Sequence, residues 1–305
     1  MWLALLVLLA YLKPANASAT WFQPLRNTTS WQYQLSDSGS IKRVSGVNLY
    51  IIDMDTARTA LPKLKAAQPS ARVICYFSAG SYERYRADDD ADRGANSIRA
   101  ADWAGALGKP LAGWPDERWL DIRSARVRSV MARRMRFARS IGCDGVDPDN
   151  VDGYSTATGF PLVRADQVKY NAWLATTAHG LGLAVGLKNA VGLLPDLHPR
   201  FDFFINEECF AFQECSAYDV VNPTKPVLGV EYCDGAAELG SPTQDPACYC
   251  PQANARGWAF SVKRADLGWP GVSCKSYCRA HACGPAAATG SCRAKRPDVC
   301  AAALG

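Results

Sequence analysis

From residue 47 to residue 263 the chain alternates short apolar, β-rich runs with helical ones, and no other feature restricts the fold as much. VNLYIID (47–53), RVICYFSAG (72–80), RWLDIR (118–123), GVDPDN (145–150), LAVGLKN (183–189), FDFFINE (201–207), PVLGVEY (226–232) and GWAFSVK (257–263) read as eight strands. Between them LPKLKAAQ, VRSVMARRMRFARSIG and DQVKYNAWLATTAHGLG carry helical spacing. Strands this apolar are buried on both faces, the mark of a parallel sheet covered by crossover helices. Eight such units predict an α/β fold, a (β/α)8 TIM-type barrel. At 305 residues and 48% hydrophobic the chain can bury that core with residues to spare.

The spare residues lie at the two ends. Trp2–Leu12 is an apolar run followed by Pro14 and by Ala15-Asn16-Ala17 and Ala17-Ser18-Ala19. As a helix it would reach about 16 Å, against about 30 Å of bilayer hydrocarbon, so 1–19 reads as a signal peptide, one lacking a basic n-region. No other stretch is long and apolar enough to span a membrane. Twelve cysteines agree with a secreted, disulfide-bonded protein, and eight of them lie from Cys233 to Cys300. Zinc is disfavoured there, since no paired C-x-x-C occurs and only His281 is near. The expected organisation is a barrel over 20–265 and a small disulfide-rich appendage over 266–305. Cys209 and Cys215 are close enough to close a small loop. Cys75 and Cys143 either bridge neighbouring parts of the barrel or stay as buried thiols. Asn27-Thr28-Thr29 is a glycosylation sequon. The net charge of +5 is spread thinly, and the arginines of RVRSVMARRMRFAR fall between apolar periodic positions. That is a solvated helix face, so no nucleic-acid partner is expected.

The residues with chemistry gather at strand ends. GCDGVDPDNVDGY (142–154) holds Asp144, Asp147, Asp149 and Asp152 with Asn150 around Pro148, which opposes a helix. On a strand Asp147 and Asp149 share a face, and their repulsion should raise at least one pKa. A calcium loop counted from Asp147 fails, with Val151 as a ligand, Asp152 at the glycine position and Thr158 at the twelfth. A solvated acidic turn is the bland alternative. The other strands finish on Asp53, Ser78, Asp121 with Arg123, Lys188 with Asn189, Asn206 with Glu207, Glu231 with Tyr232, and Lys263. In a parallel barrel these ends converge on one face.

His179, His198 and His281 are scattered, and neither a G-x-S-x-G elbow nor a phosphate loop occurs, so neither metal nor cofactor is expected. Carboxylates with amides and aromatics suit cleavage of a glycosidic bond, with Asp149 and Glu207 as the best pair. Asn150 and Lys188 are placed to keep Asp149 ionised, while the apolar run of Phe201, Phe203, Phe204, Ile205 and Phe210 should raise the pKa of Glu207. Trp114, Trp119, Tyr76, Tyr82, Tyr154 and Tyr232 can stack on sugars, although any one of them is more often core.

At WQYQLS, VICYFSAGSYERYR, GWPDERWLDIR, DGVDPDNVDGY with TGFPL, GLAVGLKN, FDFFINEECF with ECSAY, and GVEY the chain resembles glycoside hydrolase family 114, the endo-α-1,4-polygalactosaminidases. The resemblance runs from about Trp31 to Tyr232. It implies a metal-independent barrel acting on α-1,4-linked galactosamine polymers, with the PDN aspartate (Asp149) and the INE glutamate (Glu207) as catalytic pair. Asp53, Tyr76, Asp121, Lys188, Asn189, Glu231 and Tyr232 would line sugar subsites, and Asn150 sits beside them. Asp147 stands where the family usually has glutamate, and a contact to an amino group is its expected role. The expectation is a secreted, monomeric endo-glycosidase acting by retention, with Asp149 as nucleophile and Glu207 as acid and then base. Swapped roles for the two acids, and a glycan-binding barrel without turnover, are the alternatives.

Overall fold

The computed structural model describes residues 21–24, 30–36, 41, 43–86, 91–221, 223–234, 244–284, 292 and 299–304. The predicted signal peptide and the Asn27 sequon lie outside them. In chain order the strands are β1 (Trp31–Gln34), β2 (Leu49–Asp53), β3 (Arg72–Ser78), β4 (Ser81–Glu83), β5 (Leu107–Leu111), β6 (Trp114–Leu120), β7 (Gly145–Asp149), β8 (Ala184–Lys188), β9 (Phe203–Glu207), β10 (Val227–Tyr232), β11 (Ala259–Lys263) and β12 (Val272–Ser273). The helices are α1 (Met54–Ala67), α2 (Ala125–Ser140), α3 (Arg164–Gly180), α4 (Leu194–Leu197), α5 (Pro246–Ala255), α6 (Cys274–His281) and α7 (Val299–Leu304).

Strands β1-β2-β3-β7-β8-β9-β10-β11 stand side by side in parallel, with β12 antiparallel on β11. The sheet curls nearly into a closed barrel. Its edges are joined by side chains and a loop: Trp31 Nε1 donates to the Ala259 carbonyl at 2.8 Å, Lys263 Nζ donates to the Tyr33 carbonyl, and Leu35 N donates to the Leu267 carbonyl at 3.0 Å.

One predicted wall strand is not in the wall. RWLDIR supplies the end of β6, which pairs antiparallel with β4 and β5 in a separate three-stranded sheet. Arg118 is exposed between buried Glu117 and Leu120, the one-sided pattern of a sheet facing water. The eighth wall strand is instead β1, the sequence WQYQ. Its Trp31 and Tyr33 point into the barrel and Gln32 and Gln34 away from it, so its alternation hid a strand buried on both faces.

Strand alternation divides the apolar residues into two sets. Trp31, Tyr33, Leu49, Ile51, Ile74, Phe203, Ile205, Leu228 and Val230 fill the barrel, while Tyr50, Ile52, Val73, Cys75, Phe77, Val146, Val185, Leu187, Phe204, Phe260 and Val262 face the helices. The interior is full: a Cβ on Gly186 would meet Phe203 Cε2 at 2.4 Å, and one on Gly145 would meet Ile74 Cδ1 at 2.7 Å. Helix α2 shows how a covering helix is specified. Ser124 caps it by accepting from Arg126 N, and Val127, Val130, Met131, Arg134, Met135 and Ala138 bury one face against the wall. All twelve cysteines are paired, as Cys75–Cys143, Cys209–Cys215, Cys233–Cys300, Cys248–Cys292, Cys250–Cys274 and Cys278–Cys283. Cys274, Tyr277, Cys292, Val299 and Cys300 belong to the same core cluster as the helix-facing side of the wall.

Candidate active site

Lys188 ends β8 and points into the barrel mouth, with its side chain only 1% exposed. Its ammonium lies 3.5 Å from Asp149 Oδ2 and 3.1 Å from Glu207 Oε2, and donates to the Tyr33 hydroxyl at 2.7 Å. The Tyr33 and Tyr76 rings approach it at 5.3 and 5.4 Å. Burial disfavours the ammonium, but Asp149, Glu207 and Asp147 outweigh that and hold it well above the usual lysine range. It stays charged. A single cation touching both acids keeps those two oxygens within about 6.6 Å of each other, a ceiling that the about 5–5.5 Å of retaining pairs satisfies.

Each acid has its own partners. Asp149, at the end of β7, accepts from the Tyr76 hydroxyl at 2.8 Å and from Asn150 N at 2.8 Å. Glu207, at the end of β9, accepts from the Tyr232 hydroxyl at 2.6 Å and from Asn189 Nδ2 at 3.3 Å, while its own N–H donates to Asn189 Oδ1 at 2.9 Å. The backbone turns sharply just past these strands, with Asn150 at φ 58°, Asn189 at φ 46° and Glu208 at φ 67°. Non-glycine residues in this left-handed region are costly and concentrate at functional sites.

The apolar run was expected to raise the pKa of Glu207, and the structure reverses that. Burial does push the carboxyl up, but Lys188, Tyr232 and Asn189 outweigh it and hold Glu207 below the usual carboxylate range. The phenylalanines beside it in sequence lie lower in the barrel or on its outer face. The raised group is Asp147, fully buried on the same face as Asp149 and one pleat deeper. Burial and the charges of Asp149 and Glu207 push it to about 7 against the pull of Lys188.

Thus Tyr76, Asp147, Asp149, Asn150, Lys188, Asn189, Glu207 and Tyr232 come together, while Asp53, opposite Tyr76 at the end of β2, Asp121 and Glu231 are held by other partners. Asp53 caps α1 by accepting from Asp55 N and pairs with Arg86 at 3.0 Å. Asp121, just past β6, bonds Arg123 at 2.8 Å, and that bond holds its carboxyl low. Glu231 lies on the helix side of β10, fully buried, accepting from Phe210 N at 2.9 Å. Burial, with the charges of Glu208 and Glu214, pushes its carboxyl above the usual carboxylate range, against the pull of the Phe210 and Ala211 backbone N–H groups. Sequence reasoning missed Tyr33, whose signal was the W-Q-Y-Q alternation, and Glu117, for which no local signal exists. Among the described residues the grouping with metal-ligand spacing is Cys233, Asp234 and Cys300, and its cysteines are joined in a disulfide.

The family model described as glycoside-hydrolase family GH114 matches residues 12–279. Among solved structures, Aspergillus fumigatus Ega3 in complex with galactosamine is 33% identical, with a TM-score of 0.69 over 85% of this chain and 100% of that one. The glycoside hydrolase domain of PelA from Pseudomonas aeruginosa is 14% identical, with a TM-score of 0.53 over 80% of this chain and 98% of that one, a likeness of fold. No curated protein sequence matches the chain.

Proposed function

The chain belongs to glycoside-hydrolase family GH114 and is a glycoside hydrolase, and from that premise we propose that it is a secreted endo-hydrolase of α-1,4-linked, galactosamine-containing polysaccharide. The observation that carries the reading is Lys188 set between Asp149 and Glu207 at the barrel mouth. The Asp149 carboxylate attacks the anomeric carbon while Glu207 gives its proton to the departing glycosidic oxygen. The resulting ester on Asp149 is hydrolysed when the Glu207 carboxylate takes a proton from water, and the anomeric configuration is retained. A cationic sugar suits the site. Asp152, next to it, is pushed to about 6 by burial and by the charges of Asp149 and Glu214, and a bound ammonium relieves that repulsion. The galactosamine in the Ega3 complex supports the same substrate class.

The low pKa of Glu207 favours a second reading, in which Glu207 attacks and Asp149 supplies the proton. Aryl galactosaminide oligomers with a good leaving group separate the two. The variant lacking the acid keeps activity on them and is rescued by azide with retention, whereas the variant lacking the nucleophile yields azide of inverted configuration. Residues 1–19 are read as a signal peptide, 20–265 as the barrel and 266–305 as a disulfide-stapled tail, with a monomer as the working unit.

The deciding experiment is release of reducing ends from partially deacetylated α-1,4-galactosaminogalactan by the native protein, Asp149→Asn and Glu207→Gln. Release by the native form alone, with all three folded and binding, is expected. Binding by the native form without release would overturn the endo-hydrolase reading.

A further inference from the structure

The three-stranded sheet β4-β6-β5, outside the barrel wall, reaches the catalytic end of β7 through a line of hydrogen bonds. Asn150 follows Asp149 directly, and its N–H donates to Asp149 Oδ1 at 2.8 Å. Its side-chain amide donates to Ser78 Oγ at 2.9 Å and to Ser81 Oγ at 3.2 Å. Ser78 Oγ and Ser81 Oγ lie 2.5 Å apart, and the Ser81 hydroxyl donates to Glu117 Oε2 at 2.5 Å. Glu117 is 6% exposed on β6, diagonally across from Ser81 on β4, and its other oxygen accepts from the Tyr85 hydroxyl at 3.1 Å.

This line has one direction. Each serine has a single proton, and that of Ser81 goes to Glu117, so Ser78 must donate to Ser81. The lone pairs of Ser78 then receive the Asn150 amide and Ser81 N at 3.0 Å, and those of Ser81 receive Ser78 and Asn150. Every donor and acceptor on the two hydroxyls is used. Glu117 Oε2, which accepts from Ser81, is the terminus of the line and sets the direction of every bond before it. The amide so gripped belongs to a residue at φ 58°. The chain opposite comes close to the same turn, since a Cβ on Gly80 would sit 1.6 Å from the Asn150 carbonyl oxygen. The backbone N–H groups of Ala79 and Gly80 hold the Asp149 carbonyl at 2.8 and 3.1 Å.

We propose that Glu117 is a positioning residue for catalysis: through Ser81 and Ser78 it holds Asn150 in its left-handed conformation and so aims the Asp149 carboxylate. Burial, with the charges of Glu83 and Asp149, pushes Glu117 to about 7, while Ser81 and Tyr85 pull it down. Glu83, its acidic neighbour, is itself held ionised by Arg86 and Arg134. The relay works with either form of Glu117, because a protonated carboxyl still offers an acceptor oxygen to Ser81.

The inference rests on the proposed catalytic role of Asp149, so Asp149→Asn is measured beside the relay variants. The measurement is steady-state release of reducing ends from partially deacetylated α-1,4-galactosaminogalactan, with thermal midpoints alongside. Glu117→Ala and Ser81→Ala are expected to lower kcat on the order of 10- to 100-fold with KM within about twofold, the signature of a misaimed reacting group. Glu117→Gln, which keeps an oxygen toward Ser81, should recover most of the loss. The Ser81→Ala/Glu117→Ala double variant should be no worse than the poorer single one, since both break one line. Ser81→Ala removes a single oxygen and keeps the test open if Glu117→Ala does not fold. The proposal is overturned by an unchanged kcat in a folded Ser81→Ala, by additive losses, or by glutamine doing no better than alanine. Turnover surviving in Asp149→Asn would instead sink the catalytic assignment on which it stands.

Discussion

Glu207 shows that the charge state of a site residue is decided by the few atoms that reach it. The Tyr232 hydroxyl donates to Oε1 at 2.6 Å and favours the ionised carboxylate, so Tyr232→Phe should raise the Glu207 pKa. Hydrogen bonds to charged groups are worth about 1.5–3 kcal/mol, which sets a shift of about one to two pH units. If Glu207 is the acid, activity disappears as pH rises through its pKa, and the alkaline limb of kcat/KM moves up. If it is the nucleophile, the acidic limb moves instead. The pH profile of Tyr232→Phe therefore tests the role as well as the contact. Asp147 yields a stability prediction. Its folded pKa of about 7 lies above the ordinary carboxylate value, so the stability it contributes is complete below about pH 4 and is lost as pH rises through about 7. Asp147→Asn cannot ionise and should escape that loss. Its thermal midpoint should gain on the native protein between those pH values, and two parallel curves would refute the assignment.

At the level of strands and helices, small residues in the wall set where large ones can go. Gly186 on β8 lies opposite Phe203 on β9, and a Cβ there would come within 2.4 Å of the ring. Gly186→Ala should therefore overpack the barrel and cost about 1–3 kcal/mol in urea unfolding, with Phe203→Leu as second-site relief. The same strand carries Lys188 two residues on. The excursion between β3 and β7 is the other informative element. It was legible as β-rich, but nothing local separated a wall strand from one in a side sheet, because RWLDIR and WQYQ both mix polar and apolar residues. Only their neighbours differ: β1 is covered on both faces, whereas β6 leaves Arg118 in water.

For the molecule as a whole, the disulfides tie together parts far apart in sequence. Cys75 on β3 joins Cys143 just before β7 across 68 residues, enclosing the side-sheet excursion. Loop-closure entropy predicts a loss of about 4 kcal/mol for Cys75→Ala/Cys143→Ala, measurable by urea unfolding. The bond Cys233–Cys300, spanning 67 residues, anchors α7 beside the end of β10 in the same way.

By itself the sequence determined the strand and helix alternation, seven of the eight wall strands, and the acids and amides that end them. Those signals are local, since side-chain periodicity and a polar strand end need no knowledge of what lies across the barrel. The tertiary structure alone decided which short run closes the wall, that Glu231 faces the helices, and that Asp53 and Asp121 are taken by arginines. It also decided that Lys188 lies between Asp149 and Glu207 and that Glu117, from a different sheet, stands behind Asn150. In each case the deciding quantity is a distance or a burial between groups remote in the chain, and these act on charge and hydrogen bonding only after the strands have closed around them.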